Sequence, residues 1–284
     1  MSEDTAFVAK YDFEVLDVHH HIGSAMGSLG WGGRPTQELP EDEERRGRLR
    51  VMNEGGVRQA IIQPPHNYLR PNGIADTRKV NESTAAYRDA HPDRFPAALG
   101  VVQPQDGPLA LEEVSRVRDE LHMAGISFHT LLQGVSVDSA FVRQTIERLG
   151  ELGMLPLIHA VTSNPHEALW KVGAIGRSFP DLRILVVDAL ADFASTIECF
   201  HVAEIAPNLV FDTTFAIDID IIEDFVHKFG AERLTFGTDL YSPGGLLGRR
   251  ENPILPRIVE SDALSRKDKE LILSGNARSL LGLD

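Results

Sequence analysis

Asp17, His19 and His21 alternate through the apolar run Val15-Leu16-Asp17-Val18-His19-His20-His21 near the start of the chain. Side chains of an extended strand alternate between faces, so these three are expected on one face and His20 on the other. Two imidazoles on the inward face of a strand end can grip one metal ion without a loop to gather them. Other apolar runs also close on polar residues: His129 after Gly125–Phe128, His159 after Leu155–Ile158, and Asp188, Asp212 and Asp239 further on. A lone strand-end histidine is more often a packed core residue, whereas so many such ends on one rim make a shared site. Imidazole suits zinc, iron, manganese, nickel or cobalt, and a carboxylate adds neutralising charge. His19, His21, His159 and Asp239 can hold one divalent ion with a position left for water, whose pKa the ion lowers towards ~7. Asp239 can ligate or take that water's proton. Asp17 is expected to orient a ligating imidazole.

The elements that must position these residues alternate along the chain. Strands are expected at 15–21, 59–63, 97–103, 125–129, 155–159, 183–188, 208–213 and 233–239. Helices are expected at 41–55, 76–90, 109–123, 138–152, 166–178, 191–205, 218–229 and 267–281, several closed by glycine. Short apolar strands separated by helices pair in parallel through right-handed crossovers. Eight such units make an α/β fold of the (β/α)8 barrel type, with active-site groups at the C-terminal strand ends. An open doubly wound sheet would carry a Gly-rich phosphate turn after its first strand, where this chain has its histidines. With no linker or repeat in view, residues 1–284 read as one barrel domain.

A formal charge of −14 argues against nucleic acid or an anionic membrane as a general partner. The single cysteine, Cys199, excludes an internal disulfide framework and fits a reducing cytoplasm. No apolar run has the length of a membrane span, and the acidic N-terminus is no signal peptide. A soluble cytoplasmic protein acting on a small molecule is expected.

The residues resemble the amidohydrolase superfamily, in its amidohydrolase-related branch of decarboxylases, lactonases and hydratases. The resemblance is carried by Asp17-Val18-His19-His20-His21, His91-Pro92-Asp93-Arg94-Phe95, Leu157-Ile158-His159, Phe236-Gly237-Thr238-Asp239 and Ser274-Gly275-Asn276-Ala277-Arg278, in family order across nearly the whole chain. It implies a barrel with His19, His21, His159 and Asp239 as ligands, and makes a homodimer unsurprising. The implied activity is hydrolysis or decarboxylation of a small carboxylated or cyclic substrate, using one zinc or manganese ion.

One departure opens an alternative. Asp188 stands where the family's sixth strand usually ends in histidine. Counting Asp188 and His129 gives six protein groups, too many for one tetrahedral ion that keeps water. Either some stand behind the ligands, or two irons are bound, as in diiron monooxygenases similar to this group that hydroxylate bulky apolar natural-product intermediates. Substrate contacts are expected from loops 22–35, 64–75 and 240–252, with Leu29, Trp31, Tyr241, Leu246 and Leu247 suggesting a bulky apolar ligand and His66 a possible contact.

Overall fold

The computed structural model describes residues 6–23, 41–66, 68–216, 218–241 and 252–283. Eight parallel strands follow one another: β1 (Leu16–His21), β2 (Gln59–Gln63), β3 (Leu99–Gly100), β4 (Gly125–Phe128), β5 (Leu155–His159), β6 (Ile184–Val187), β7 (Leu209–Asp212) and β8 (Leu234–Thr235). Between them run α1 (Glu41–Gly55), α2 (Ile74–Asp89), α3 (Pro108–Asp119), α4 (Ala140–Leu152), α5 (Leu169–Ser178), α6 (Phe193–Ile205) and α7 (Ile219–Phe229). After β8 come α8 (Ile254–Glu260), α9 (Arg266–Glu270) and α10 (Asn276–Leu281). Strands β3 to β8 pair in sequence order, and β1 pairs with β2. Parallel bridges His20 to Leu240 and Ile62 to Ala98 join the two sets, completing the ring of a (β/α)8 barrel.

Alternation along the strands sorts the core into two layers. Leu16, Val18, Ile61, Leu99, Leu157, Leu185, Val187 and Val210 fill the barrel interior. Ile62, Ile126, Ile158, Val186 and Phe211 face outward and pack under the helices with residues such as Val114, Leu149, Val172 and Phe225. By the same alternation Gln63 on β2 and Ser127 on β4 turn inward.

Strand β1 breaks the alternation. Asp17 pairs with Ala60 but His20 with Ile62, so one extra residue is accommodated between them. Such a bulge re-aims the side chains beyond it. Leu16 and Val18 point into the barrel below it, and His19 and His21 point into the mouth above it. Asp17 therefore does not share their face, contrary to the expectation from strict alternation. Its Oδ2 accepts from His20 Nδ1 at 2.8 Å and from the Thr238 hydroxyl at 2.6 Å, on the helix side of the strand. Asp17 thus ties β1 to the segment after β8 instead of orienting a ligating imidazole.

Other differences from the expected elements are local. Regular pairing on β3 and β8 covers two residues each, because the backbone beyond leaves the ladder to build the rim. The C-terminal helix is interrupted by a π-helical turn, Leu271–Gly275. His122 lies in the irregular segment between α3 and β4 and His166 in a turn before α5, not on helices. Asp192 caps α6, accepting from Ser195 N at 2.7 Å.

The shared end motifs are structural. The Arg94 guanidinium donates to the carbonyls of Arg58 and Val57 and to Asn53 Oδ1, stapling the turn before β3 to the turn before β2. Asn276 Nδ2 donates to the Ala231 and Leu234 carbonyls, each at 2.7 Å, and Arg278 to Glu14 and Gln59, closing the N-terminal end of the barrel.

Candidate metal centre

Three imidazole nitrogens meet at the C-terminal mouth. His19 Nε2 lies 3.2 Å from His21 Nε2 and 3.2 Å from His159 Nε2, and the last two are 3.3 Å apart. All three rings are buried. Each is fixed from behind: His19 Nδ1 donates to Asp212 Oδ2 at 3.1 Å, His21 Nδ1 to the Pro64 carbonyl at 3.1 Å, and His159 Nδ1 to the Phe128 carbonyl at 2.9 Å. With the proton held on Nδ1, each Nε2 presents a lone pair, and three lone pairs converge on one point. That arrangement repels itself unless a cation, either a proton on His19 or a metal ion, sits among them. The spacing is that of two imidazoles about 2.0–2.1 Å from a common tetrahedral ion, roughly 3.3 Å apart. The donor set therefore fits one divalent ion.

Carboxylates surround the triangle. Asp239 Oδ1 lies 3.2 Å from His19 Nε2 and 3.6 Å from His21 Nε2, beside the converging lone pairs. Asp212 is fully buried behind His19, and its other oxygen accepts from the Asp188 amide at 3.2 Å. The Thr214 hydroxyl donates to Asp212 Oδ2. Asp188 Oδ1 lies 3.8 Å from His19 Nδ1, the edge of that ring facing away from the triangle, and has no hydrogen-bond partner. Asp188 and Asp239 both adopt the left-handed backbone region, with φ of 67° and 53°. Non-glycine residues reach it at a cost of about 1–3 kcal/mol, and such strain clusters where a side chain must be aimed.

Electrostatics point the same way. Burial lowers the pKa of His21 and of His159 well below the ordinary value, His19 pushing His21 down further and His129 pushing His159 down, so both stay neutral ligands. At His19 burial also opposes charge, but Asp239, Asp188 and Asp212 outweigh it and lift the pKa to about 10. The carboxylates thus make the His19 position one that attracts positive charge. Burial raises Asp188 well above the carboxylate range and Asp239 to about 6, in each case against the pull of His19.

His129 and His66 belong to the wall of the site. The His129 ring stacks on His159 with centroids 4.6 Å apart, and its Nδ1 donates to the buried Glu167 at 2.5 Å. His66 packs edge-on against His159 at 5.1 Å and donates from Nε2 to the Ser127 carbonyl at 3.1 Å. Burial and the neighbouring His129 hold its pKa down to about 3. Tyr241 stacks on His21 with centroids 4.4 Å apart. Among the described residues, one group of at least three His, Cys, Asp or Glu has ligand atoms all within 4.8 Å, namely His19, His21 and His159. His129, Asp188 and Asp239 stand around it, and the three-histidine cluster fits a single divalent ion. Leu29, Trp31, Leu246 and Leu247 lie outside the described residues.

Sequence reasoning missed Glu167, Thr214, Gln63 and Ser127 as parts of this site, and the specific role of Gly237. Glu167 follows no strand, so strand-end logic does not reach it. A Cβ at Gly237 would meet Thr214 Oγ1 at 2.6 Å, His19 Cβ at 3.0 Å and, closer still, the Asp212 carboxylate.

The amidohydrolase family model matches residues 16–283, and the chain belongs to that family. No curated protein sequence matches the chain. Among solved structures, 5-carboxyvanillate decarboxylase from Novosphingobium aromaticivorans DSM 12444, in complex with manganese and 4-hydroxy-3-methoxy-5-nitrobenzoic acid, superposes with a TM-score of 0.73 at 16% identity, covering 99% of each chain. The 5-carboxyvanillate decarboxylase of Sphingomonas paucimobilis gives 0.71 at 16% identity, over 95% of this chain and 99% of the other. Dihydroxybenzoic acid decarboxylase from Polaromonas sp. JS666, with manganese and 2-nitroresorcinol, gives 0.67 at 17% identity, over 95% and 97%. At these identities the likeness shows a common fold.

Proposed function

We propose that this protein, as a single barrel unit, is a metal-dependent decarboxylase of a small aromatic carboxylate. His19, His21, His159 and Asp239 would hold one divalent ion, manganese or zinc. The observation that carries the reading is the triangle of Nε2 lone pairs, each locked by an acceptor on Nδ1, with Asp239 at its side. The manganese-bound decarboxylases that share the fold support the choice of reaction.

When bound, a divalent ion supplies Lewis acidity towards substrate oxygens. The chain's own residues do the rest. Loss of CO2 breaks a carbon–carbon bond and leaves an electron pair on carbon that must take up one proton. Asp239, raised to about 6 by burial against the pull of His19, can hold that proton near neutral pH and hand it over. Asp212 and the carbonyls of Pro64 and Phe128 keep the three imidazoles in place throughout. Tyr241, flat against His21, walls the mouth with an aromatic face.

The test is CO2 release from hydroxylated benzene carboxylates by manganese-loaded protein, with the product formed in D2O. One deuterium per product at the vacated carbon is expected, together with loss of turnover in Asp239→Asn. Stoichiometric metal with hydrolysis of lactones or esters and no CO2 release would overturn the decarboxylase reading.

A further inference from the structure

Three buried polar side chains on the β2 and β4 side of the mouth have hydrogen-bonding capacity that the protein leaves unused. Both amide atoms of Gln63, Nδ1 of His66 and Oγ of Ser127 are buried without a partner. Unpaired buried polar atoms are uncommon in folded proteins, and each calls for a water, an ion or a ligand group. All three flank the metal triangle. Gln63 pairs in register with His21, whose Nδ1 donates to the next carbonyl, that of Pro64. Ser127 precedes Phe128, whose carbonyl anchors His159, and the Ser127 carbonyl in turn holds His66. Alternation on β2 and β4 turns Gln63 and Ser127 into the barrel, where Ile61 lies one step below Gln63 on the inner face.

The chemistry of the trio narrows what it can take. His66 donates from Nε2, so its Nδ1 is an acceptor; the Gln63 amide and the Ser127 hydroxyl offer donors and acceptors together. None of the three carries a formal charge, and among the described residues Asp188, Asp239, Asp212 and Glu167 stand around the mouth together with His19 and His129.

We propose that Gln63, His66 and Ser127 form a neutral polar subsite that binds a substrate hydroxyl lying away from the group the metal engages. That hydroxyl donates to His66 Nδ1 and accepts from Gln63 or Ser127. This rests on the functional reading above and adds the specificity element to it.

The experiment compares binding of benzoate, 3-hydroxybenzoate and 4-hydroxybenzoate to manganese-loaded protein by calorimetry. In both hydroxylated acids the hydroxyl is too remote from the carboxylate to share its ion. The better hydroxylated acid should bind the wild type about tenfold more tightly than benzoate, a difference one or two hydrogen bonds supply. Gln63→Leu with Ser127→Ala should shrink that preference to less than about threefold, with manganese content and benzoate affinity held. Ser127→Ala alone, a minimal truncation, should lower it by a smaller factor. Equal binding of all three acids by the wild type, or a preference that survives both changes, overturns the subsite and leaves the metal-dependent reading standing. Failure of the wild type to bind any of the acids with manganese in place overturns both.

Discussion

Gly237 shows how closely the site is fitted at the scale of single residues. A methyl group there has no room beside Asp212, Thr214 and His19. Gly237→Ala should displace the Asp212 carboxylate from His19 Nδ1 and weaken metal binding by about 10–100-fold, the usual cost of losing an outer partner of a ligating histidine. Asp212→Asn, which keeps the shape but removes the charge, should fall in the same range. Metal titration of each purified variant checks both, and unchanged affinity in Asp212→Asn would remove that residue from the account. The histidines were legible in the sequence because each ends an apolar strand. Their partners were less so. Asp212 was visible as a polar strand end, but only folding brings it to His19 across 193 positions. The Pro64 and Phe128 acceptors are backbone carbonyls, which any residue carries.

At the scale of elements, the bulge in β1 is the feature that alternation alone hides. A strict period of two assigns Asp17, His19 and His21 to one face, and the extra residue moves Asp17 to the other. The barrel was legible because eight apolar runs alternate with helices, while the shortness of β3 and β8 depends on where neighbouring backbones stop pairing. The family's C-terminal motif turns out to be a clamp. Asn276→Ala removes both Nδ2 hydrogen bonds to the Ala231 and Leu234 carbonyls and should cost about 1–3 kcal/mol, read as a lower urea midpoint at unchanged slope. Helices α1 and α2 are joined by the buried Tyr87, whose hydroxyl donates to Glu44 Oε2 at 2.6 Å and accepts from Arg48 Nε at 3.1 Å. Burial raises the Tyr87 pKa, against the pull of Arg48. The folded state then holds this proton more tightly than the unfolded chain. Its contribution is fully present below pH ~10, the ordinary tyrosine value, and is lost as the pH rises beyond it. Burial raises Tyr241 and Tyr68 as well, so alkaline titration at 295 nm should show these tyrosines ionising late, and Tyr87→Phe should shrink the delayed step by one tyrosine.

For the whole molecule, metal and fold are linked through the mouth of the barrel. An ion that binds only the folded state stabilises it by mass action, about 2.7 kcal/mol when free metal stands at 100 times its dissociation constant. Chelation should therefore lower the melting temperature, readdition of manganese or zinc should restore it, and His159→Ala should melt at the same temperature with or without metal. The helices of the described chain include none long and apolar enough to cross a membrane. The barrel presents an acidic, histidine-lined mouth.

Elemental analysis of gently purified wild-type protein beside His159→Ala tests metal binding at this mouth most directly. One divalent ion per chain in the wild type, lost from a folded His159→Ala variant, is the predicted result. A wild type that takes up no metal when offered manganese or zinc, or a variant that keeps its ion, would contradict the assignment of the histidine triangle.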